Sequence, residues 1–381
     1  MLAGDLYAFQ DLLSEDESAV VRRVRDFLEA EVSPIANDHW QRADFPHHLV
    51  KKYADLDIAD RRGSSSLLNG WLALEMARSD ASMATFYGVH AGLAMGSIRM
   101  CGSPEQQARW IPPMAAFDKI GAFALTEPTG GSDVAAGLRT TARREGDEWV
   151  LDGAKRWIGN ATFADLVVVW ARDVADDQVK GFVVRGDVAG FTAKKIENKI
   201  ALRTVQNADI TLEGVRVPEA DRLQNAHSFK DTAAVLRQTR SGVAWQAVGV
   251  MLAAYEIALA YSKERQQFGR PIAKFQLVQD LLVRMLGNVT AAMGLCVRLA
   301  QLQDAGRYRD EHSALAKAYC TTRMREVVGW ARELLAGNGI VLDYAIGRFV
   351  ADAEALYSYE GTREINTLIV GRAITGESAF V

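Results

Sequence analysis

A single glutamate lies between an aromatic residue and a glycine near the end of the chain, in the sequence Tyr359-Glu360-Gly361. A general base needs a carboxylate that is partly removed from water, so that its pKa rises from about 4.3 toward neutrality. The ring of Tyr359 supplies low polarity, and Gly361 leaves room for a substrate. Glu360 is therefore a candidate base, although an acidic residue beside the positive end of a helix explains the pattern equally well.

Hydroxyls and glycines are concentrated in a second segment, 126–133, which follows the apolar run 120–125. A loop that leaves a strand in this way can bring backbone amides and the side chains of Thr126 and Ser132 close to a planar or anionic ligand. A plain surface turn has the same composition, and spacing alone favours that simpler interpretation.

Two further aromatic residues could contact a flat cofactor. Trp157, in the segment 155–161, could stack on such a ring, although a tryptophan in a strand more often belongs to the core. Phe268 and Arg265 follow a long apolar segment and could together hold an aromatic ring and a pyrophosphate. The alternative for these two is a solvated helix C-terminus, where the helix dipole favours basic residues.

Several common catalytic signatures are missing from the sequence. It has no Walker-type loop and no G-x-G-x-x-G after a strand, which disfavours a doubly wound nicotinamide enzyme. It also lacks the G-x-S-x-G and zincin motifs. The three cysteines, Cys101, Cys296 and Cys320, are far apart in the chain and lack metal-ligand spacing. We therefore expect neither a disulfide framework nor a metal site.

The elements that must position these residues change type twice along the chain. Up to about residue 118, apolar residues recur at helical spacing, and short β-branched runs then follow to about residue 223. Turn signals such as Asp152-Gly153 separate these runs, and strands so closely spaced predict an antiparallel sheet or barrel. Helical spacing returns after Pro218. The predicted helices are 19–32, 65–77, 81–100, 231–262, 273–304, 310–336 and 362–374, and the predicted strands include 166–170, 181–184 and 210–212.

A chain of 381 residues exceeds the size at which one hydrophobic core stops growing. We predict a mainly α protein with a central β-barrel domain. Its parts are a helical N-terminal domain at 1–118, the β domain at 119–225 and a C-terminal helical bundle at 226–381.

Charge and hydropathy limit the partners of the protein. The formal net charge of −4 gives no general attraction to nucleic acid or anionic lipid. The acidic N-terminal segment lacks the pattern of a signal peptide, which leads us to expect a cytoplasmic protein. The apolar stretch 243–261 contains Gln246 and Glu256, so we interpret it as a buried helix rather than a membrane span.

Taken together and in this order, the segments ALTEPTGGSD, KRWIGNA, ERQQFG and YEGT resemble the acyl-CoA dehydrogenase superfamily over nearly the whole chain. The closing stretch YEGTREINTLIVGRAITG resembles the branch that holds glutaryl-CoA dehydrogenases and plant-type short-chain acyl-CoA oxidases. The resemblance implies the same helical, β, helical order and a homotetramer. It also implies FAD bound between the β domain and the C-terminal bundle, with an acyl-CoA substrate from fatty acid or amino acid catabolism.

The resemblance also implies roles for individual residues. Glu360 would take the α-proton of the thioester while a hydride leaves the β-carbon for flavin N5. Contacts to FAD would come from Thr126, Ser132, Trp157, Gly159, Asn160, Arg265, Phe268, Gln276, Gly337, Gly339 and Thr362. Of these, Arg265, Phe268 and Gln276 would hold the pyrophosphate and adenosine half across a subunit interface. Contacts to the substrate would come from Ser132, Arg240, Tyr359 and Gly361.

The chain departs from the glutaryl-CoA dehydrogenases in its N-terminal domain. Those enzymes bind the distal carboxylate with an arginine shortly after an aspartate, but no arginine or lysine lies between Arg78 and Arg99 here. Burying a carboxylate without a cation costs several kcal/mol. We therefore expect a plain short acyl chain, with glutaryl-CoA dehydrogenation and decarboxylation as the alternative.

Other functions stay open at this point. The electron acceptor is an electron-transferring flavoprotein or, in an oxidase, oxygen, and no motif distinguishes them. A flavin monooxygenase or nitroalkane oxidase is disfavoured because those enzymes often replace the glutamate. A non-enzymatic acyl-CoA binding module is disfavoured because Glu360 is retained together with the FAD segments.

Overall fold

The computed structural model describes residues 2–379, and its N-terminal part is helical. The predicted helices 19–32, 65–77 and 81–100 are confirmed, with two of them interrupted by π-helical turns at Leu28–Val32 and Gly88–Ala94. The helices of this part are α1 (Glu15–Phe27), α2 (Ser33–Arg42), α3 (Val50–Ala54), α4 (Ser66–Ser79), α5 (Ala81–Tyr87), α6 (Met95–Cys101) and α7 (Pro104–Ala115).

A curled, half-barrel sheet of seven strands follows, joined by the short helix α8 (Val134–Gly137). The predicted strands 166–170, 181–184 and 210–212 are confirmed within it. Its strands are β1 (Gly121–Ala124), β2 (Thr141–Glu145), β3 (Glu148–Ile158), β4 (Leu166–Asp173), β5 (Val179–Arg185), β6 (Phe191–Lys195) and β7 (Ala208–Pro218).

The sheet corrects two sequence-based expectations. It is not purely antiparallel, because β4 pairs in parallel with β1 through its first half and with β2 through its last two residues. The predicted turn at Asp152-Gly153 is wrong, since both residues lie inside β3. Gly153 occupies a register shift against β7 with φ +150°, and a Cβ there would meet Thr140 Oγ1 at 2.6 Å. Glycine is common both at bulges and in turns, which is why local sequence could not separate them.

The C-terminal part is a helical bundle. The predicted helices 231–262, 273–304, 310–336 and 362–374 are confirmed within one or two turns at their ends. Its elements are α9 (Phe229–Glu264), the hairpin strands β8 (Gln266–Gln267) and β9 (Arg270–Pro271), α10 (Gln276–Asp304), α11 (Asp310–Leu334), α12 (Ile346–Ser358) and α13 (Arg363–Thr375). Helix α12 was not predicted, because two of its buried positions, Arg348 and Asp352, are charged and interrupt the apolar stripe.

The long helix α9 is the axis against which the other helices pack. A Cβ at Gly249 would lie 2.2 Å from the Leu74 carbonyl oxygen, so α4 and α9 approach each other at backbone contact distance. Gly70 likewise leaves room for the indole of Trp245, which is fully buried. Both α9 and α10 are long and apolar enough to cross a membrane, but the apolar window of α9 is mostly buried in the protein, as predicted for 243–261. This close packing of α4 on α9 holds α9 in place, and with it the α9 side chains that face the loop between α12 and α13.

Candidate active site

Glu360 lies in the short loop between α12 and α13, where the backbone takes an uncommon path. Its φ is +56°, and Gly361 follows with φ +84°. Two successive residues in the left-handed region are rare, and the second position suits glycine because a side chain there would be strained. The helix that follows is capped by Thr362, whose hydroxyl accepts a hydrogen bond from the Ile365 amide at 3.3 Å. Thr362 and not Glu360 therefore caps α13. A role as the acidic cap of a helix, which the sequence left open for Glu360, does not apply.

The side chain of Glu360 is half-buried, and its carboxylate faces α9 and not the N-terminus of α13. Its Oε2 accepts a hydrogen bond from Thr239 Oγ1 at 2.9 Å. Burial raises the pKa of Glu360 above its ordinary value, while the Thr239 hydrogen bond and the positive charges of Arg240 and Lys317 oppose that rise. A partly desolvated carboxylate with a raised pKa is matched to proton abstraction near neutral pH.

Tyr359 closes one side of this site through a hydrogen-bonded chain. Its hydroxyl donates to Gln246 Oε1 at 2.7 Å, and Gln246 Nε2 lies 3.5 Å from the Ala84 carbonyl oxygen. Burial raises the pKa of the Tyr359 hydroxyl, which therefore stays protonated. The tyrosine, the glutamine and the start of the π-helical turn Gly88–Ala94 thus form a polar wall beside the base.

Arg240 was placed near the substrate by resemblance, and the structure puts its guanidinium beside the same loop. A Cβ at Gly361 would lie 3.9 Å from Arg240 Nε. That nitrogen is buried and has no hydrogen-bond partner. A buried donor without a partner is uncommon, and a ligand oxygen could satisfy it.

A second group of predicted residues lies at the C-terminal end of β3. Trp157 has φ +65° and 52% of its surface exposed, so it is not the core residue that a tryptophan in a strand usually is. The Arg156 guanidinium covers its ring at 4.9 Å from the centroid. The exposed flat face and the buried Gly159 two residues later fit the packing of a planar ligand.

Asn160 differs from its neighbours in this group. Its side-chain amide is buried and donates to the carbonyl oxygens of Phe86 and Gly121 at 3.1 and 3.2 Å. These bonds tie α5 to β1, which indicates that Asn160 holds the turn in place. Its Oδ1 is buried and has no hydrogen-bond partner, so the contact to FAD implied by the resemblance stays a prediction.

The glycine-rich loop 126–133 is fastened to β3 beside Trp157. The Thr126 carbonyl oxygen accepts from the Arg156 amide at 2.8 Å. Glu127 is buried, and its Oε1 accepts from Lys155 Nζ at 2.9 Å and from the Thr140 hydroxyl at 2.6 Å. Thr126 is half-buried and Ser132 is exposed, so both hydroxyls remain available to a ligand. The buried pair explains why this loop is more than a plain surface turn.

The π-helical turn Gly88–Ala94 connects the two groups. A Cβ at Gly159 would meet Val89 Cγ2 at 3.1 Å, and a Cβ at Gly92 would lie 3.9 Å from Thr239 Cγ2. A Cβ at Gly88 would lie 3.5 Å from Gln246 Nε2. The turn therefore packs against both the end of β3 and the part of α9 that carries Thr239 and Gln246. π-Helical turns of this kind are frequent at functional sites.

The remaining predicted residues lie at the opposite end of α9. Phe268 and Gly269 form the tip of the β8–β9 hairpin, with φ of +53° and +73°, and Phe268 is 92% exposed. Gln276 starts α10 and is exposed, as is Arg265. Arg240 and Arg265 are 25 positions apart, which along a helix corresponds to roughly 37 Å. These residues therefore cannot share one small ligand with Glu360 in a single copy of the chain.

Gly337 and Gly339 lie in the 3₁₀ turn Ala336–Ile340, close to this same end of α9. Asn338, between them, donates to the Tyr261 hydroxyl at 3.0 Å. Gly339 is buried, and a Cβ there would meet the Arg332 carbonyl oxygen at 2.4 Å, whereas Gly337 has open space around it. Only Gly337 is thus free to let another backbone or a ligand approach closely.

Three residues that shape the site were missed by the sequence analysis: Thr239, Gln246 and Lys317. Each lies on a long helix whose apolar spacing predicts only packing. Thr239 is adjacent to Arg240, which the resemblance placed near the substrate. Polar residues close to Arg240 on the same helix were therefore the available signal for Thr239. Between residues 2 and 379, no three His, Cys, Asp or Glu side chains come together as a metal ion would require.

Models of the acyl-CoA dehydrogenase N-terminal, middle and C-terminal domains match residues 14–118, 122–215 and 229–375. The rat mitochondrial short-chain specific acyl-CoA dehydrogenase is 35% identical over 370 residues, covering 94% of this chain and 90% of that protein. A Mycobacterium smegmatis glutaryl-CoA dehydrogenase in complex with FADH2 superposes with a TM-score of 0.96 at 33% identity, covering all of both chains. Butyryl-CoA dehydrogenase from Megasphaera elsdenii gives a TM-score of 0.91 at 28% identity, covering 95% and 98%.

Proposed function

Because this chain belongs to the acyl-CoA dehydrogenase family, we propose that it uses FAD to convert a short-chain acyl-CoA thioester to the 2-enoyl-CoA. The observation that carries this proposal is the Glu360 carboxylate, which is half-buried, accepts from Thr239 and has a raised pKa. Tyr359 and the unpartnered Arg240 Nε lie beside it.

The residues present fit a flavin. Trp157 offers an exposed aromatic face, and the hydroxyls of Thr126 and Ser132 lie in the adjoining loop. Thr362 accepts from the Ile365 amide, which leaves its own hydroxyl hydrogen free to donate. When bound, FAD supplies the acceptor for the hydride that leaves the substrate β-carbon. The chain's own residues must hold the flavin, exclude water and remove the α-proton.

Glu360 takes the α-proton of the thioester, and its surroundings determine how basic the carboxylate is and how it is aligned with the substrate. By the family resemblance, its backbone amide donates to the thioester carbonyl, which makes the neighbouring proton more acidic. Desolvation of the carboxylate raises its basicity, and alignment between the base and the Trp157 face supplies the required geometry.

The pH dependence of flavin reduction tests the role of Thr239. The reaction needs ionised Glu360, so the rate falls as the pH drops through the pKa of that carboxyl. Replacing Thr239 with Val removes a hydrogen bond that lowers this pKa. We expect the acidic limb of the profile to move to higher pH in Thr239→Val, by about one unit or less. Thr322→Val on α11, whose hydroxyl bonds only to its own helix, is the matched control.

Several features favour a short, uncharged acyl group. Among the described residues of α5, every position is buried and none is cationic. The Tyr359–Gln246 pair places a hydrogen-bonded wall beside the base. A glutaryl carboxylate that lay against α5 would find no cation on that helix. Comparing turnover of glutaryl-CoA with that of butyryl-CoA decides between the two, and efficient glutaryl-CoA turnover would exclude our choice.

Gln246 is the residue of this wall whose replacement should change chain-length preference. Truncation to Ala removes a buried side chain and frees space beside Tyr359. We expect kcat/KM for octanoyl-CoA relative to butyryl-CoA to rise roughly tenfold or more in Gln246→Ala. Gln238→Ala, an exposed position two turns earlier on α9, should leave the ratio unchanged. An unchanged ratio in Gln246→Ala would show that the wall does not bound the acyl chain.

A homotetramer follows from the same family resemblance and explains the distant residues. Arg265, Phe268 and Gln276 lie too far from Glu360 to serve its flavin in one copy, so a neighbouring copy would bring them to it. Large apolar side chains exposed in this part of the chain are consistent with contact between copies: Phe268, Leu277, Val283, Ile340 and Ile374. Sedimentation analysis of the purified protein measures the assembly directly.

The proposal as a whole is tested by anaerobic titration. The purified protein should be yellow and should bleach when butyryl-CoA is added without oxygen. A colourless protein that shows no response would favour an acyl-CoA binding module. Repeating turnover in air, with and without an electron-transferring flavoprotein, and measuring hydrogen peroxide then distinguishes a dehydrogenase from an oxidase.

A further inference from the structure

Lys317 is a buried lysine on α11 whose ammonium group points at the loop that carries Glu360. Its side chain has no exposed surface. Its Nζ donates to the carbonyl oxygens of Tyr357 and Gly361, both at 2.7 Å. Within residues 2–379 the ammonium makes no ion pair, and the carboxylates of Glu360 and Glu364 act on it through their charge alone. A lysine buried this completely is unusual without a paired charge.

The two carbonyls that Lys317 holds lie on either side of Glu360 in the chain. The Gly361 carbonyl also accepts from Asn366 Nδ2 at 2.9 Å. The loop between them includes the left-handed backbone of Glu360 and Gly361. Such a conformation persists only when surrounding contacts over-determine it. The Lys317 ammonium comes from a different helix and holds backbone carbonyls on both sides of Glu360.

We propose that Lys317 is a positioning residue for the base: it fastens the last turn of α12 and the following Gly361 to α11 and places a positive charge beside the Glu360 carboxylate. This rests on the proposed role of Glu360. The hydrogen bonds fix where the carboxylate and its backbone amide point, and the charge favours the ionised, proton-accepting form.

The charges around Lys317 agree with this role. Burial lowers the pKa of Lys317 to about 8, with Glu360 from the loop and Glu364 from α13 raising it and Arg240 from α9 lowering it further. The ammonium is thus mostly charged at neutral pH. Once neutral, the amine keeps two hydrogens, so both hydrogen bonds can persist while the charge beside Glu360 is lost.

Two variants separate the hydrogen bonds from the charge. Lys317→Met removes both, whereas Lys317→Gln keeps an amide donor without the charge. We expect anaerobic flavin reduction by butyryl-CoA to slow about tenfold or more in Lys317→Met, with a smaller change in the substrate concentration at half-saturation. Lys317→Gln should recover part of the rate. Lys180→Met in the β domain, which breaks ion pairs with Asp173 and Asp176, should leave the reduction rate unchanged.

A second measurement does not depend on turnover. The infrared carboxyl band of Glu360, assigned by its loss in Glu360→Gln, reports the pKa of that group. We expect both Lys317 variants to raise this pKa, because a nearby cation is gone. In the unaltered protein the carboxylate band should shift as the pH passes through about 8, so the proposal remains testable even if neither variant folds.

The outcomes distinguish this proposal from the one it rests on. If Glu360→Gln reduces the flavin at the original rate, the proposed function is wrong. If Glu360→Gln is inactive while Lys317→Met keeps the full rate and an unchanged Glu360 pKa, Lys317 is merely structural and only the positioning role fails. An unshifted carboxylate band in the unaltered protein also overturns it.

Discussion

Replacing Glu360 with Gln is expected to slow flavin reduction by butyryl-CoA by about a thousandfold, within the range of 10² to 10⁴ typical for the loss of a general base. The amide is nearly the same size as the carboxylate and can still accept from Thr239, so the loop should keep its shape. What disappears is the group that takes the α-proton. Stopped-flow reduction under anaerobic conditions measures the effect.

The matched control is Glu145→Gln. Glu145 lies in β2 of the β domain and pairs with Arg143 and Arg216 at the surface. Its replacement changes the net charge by the same amount without touching the site. FAD content and butyryl-CoA binding should stay normal in both variants. Rapid flavin reduction in Glu360→Gln would contradict the role of Glu360 as the base. Among the described residues no other carboxylate bonds to Thr239 and could take its place.

Replacing Arg348 with Met is expected to destabilise the fold strongly. Arg348 on α12 is 2% exposed and forms a buried ion pair with Asp80, the residue that caps α5. It also donates to Asn37 Oδ1 at 2.9 Å. Removing the cation from a buried pair costs about 3 to 5 kcal/mol because the remaining charge is left uncompensated. Urea unfolding at a fixed protein concentration measures the loss.

A second buried carboxylate makes this loss depend on pH. Asp352 accepts from Trp40 Nε1 at 2.8 Å and from the Leu202 amide at 2.6 Å, so it joins all three parts of the chain. Burial, together with the charge of Asp80, raises the pKa of Asp352 to about 7. Because the Asp352 carboxyl binds its proton more tightly in the folded than in the unfolded chain, protonation stabilises the fold. This contribution to the free energy of unfolding is complete below the pKa of the unfolded chain and is lost as the pH rises through about 7.

Arg348 lowers the pKa of both carboxyls, so its removal raises them further. At pH 5 more of the carboxyls in the variant are neutral, and fewer unpaired charges are buried. The destabilisation by Arg348→Met should therefore be smaller at pH 5 than at pH 8. Arg325→Met, which breaks the exposed pair with Glu354, should cost at most about 1 kcal/mol at either pH. Equal losses at the two pH values would contradict the linkage.

The sequence by itself determined the order of the three parts and most of the helices, because apolar residues at helical spacing mark one face of each helix regardless of its partners. It also singled out Glu360 as a candidate base, although the local pattern fitted an acidic residue at a helix end equally well and only the combined resemblance of the four segments favoured the base. The segments 126–133 and 155–161 were identified in the same way, from hydroxyls, glycines and an aromatic ring close together in the chain.

Only the tertiary structure decided what surrounds these residues. Thr239 and Gln246 on α9 and Lys317 on α11 lie far from Glu360 in sequence, and nothing local marks their contacts. Trp157 resembles a core residue in sequence, yet the bulged end of β3 turns its ring outward. Hydrophobic spacing records which face of an element is buried, whereas pairing between distant elements depends on how helices pack, and that information is distributed over the whole chain.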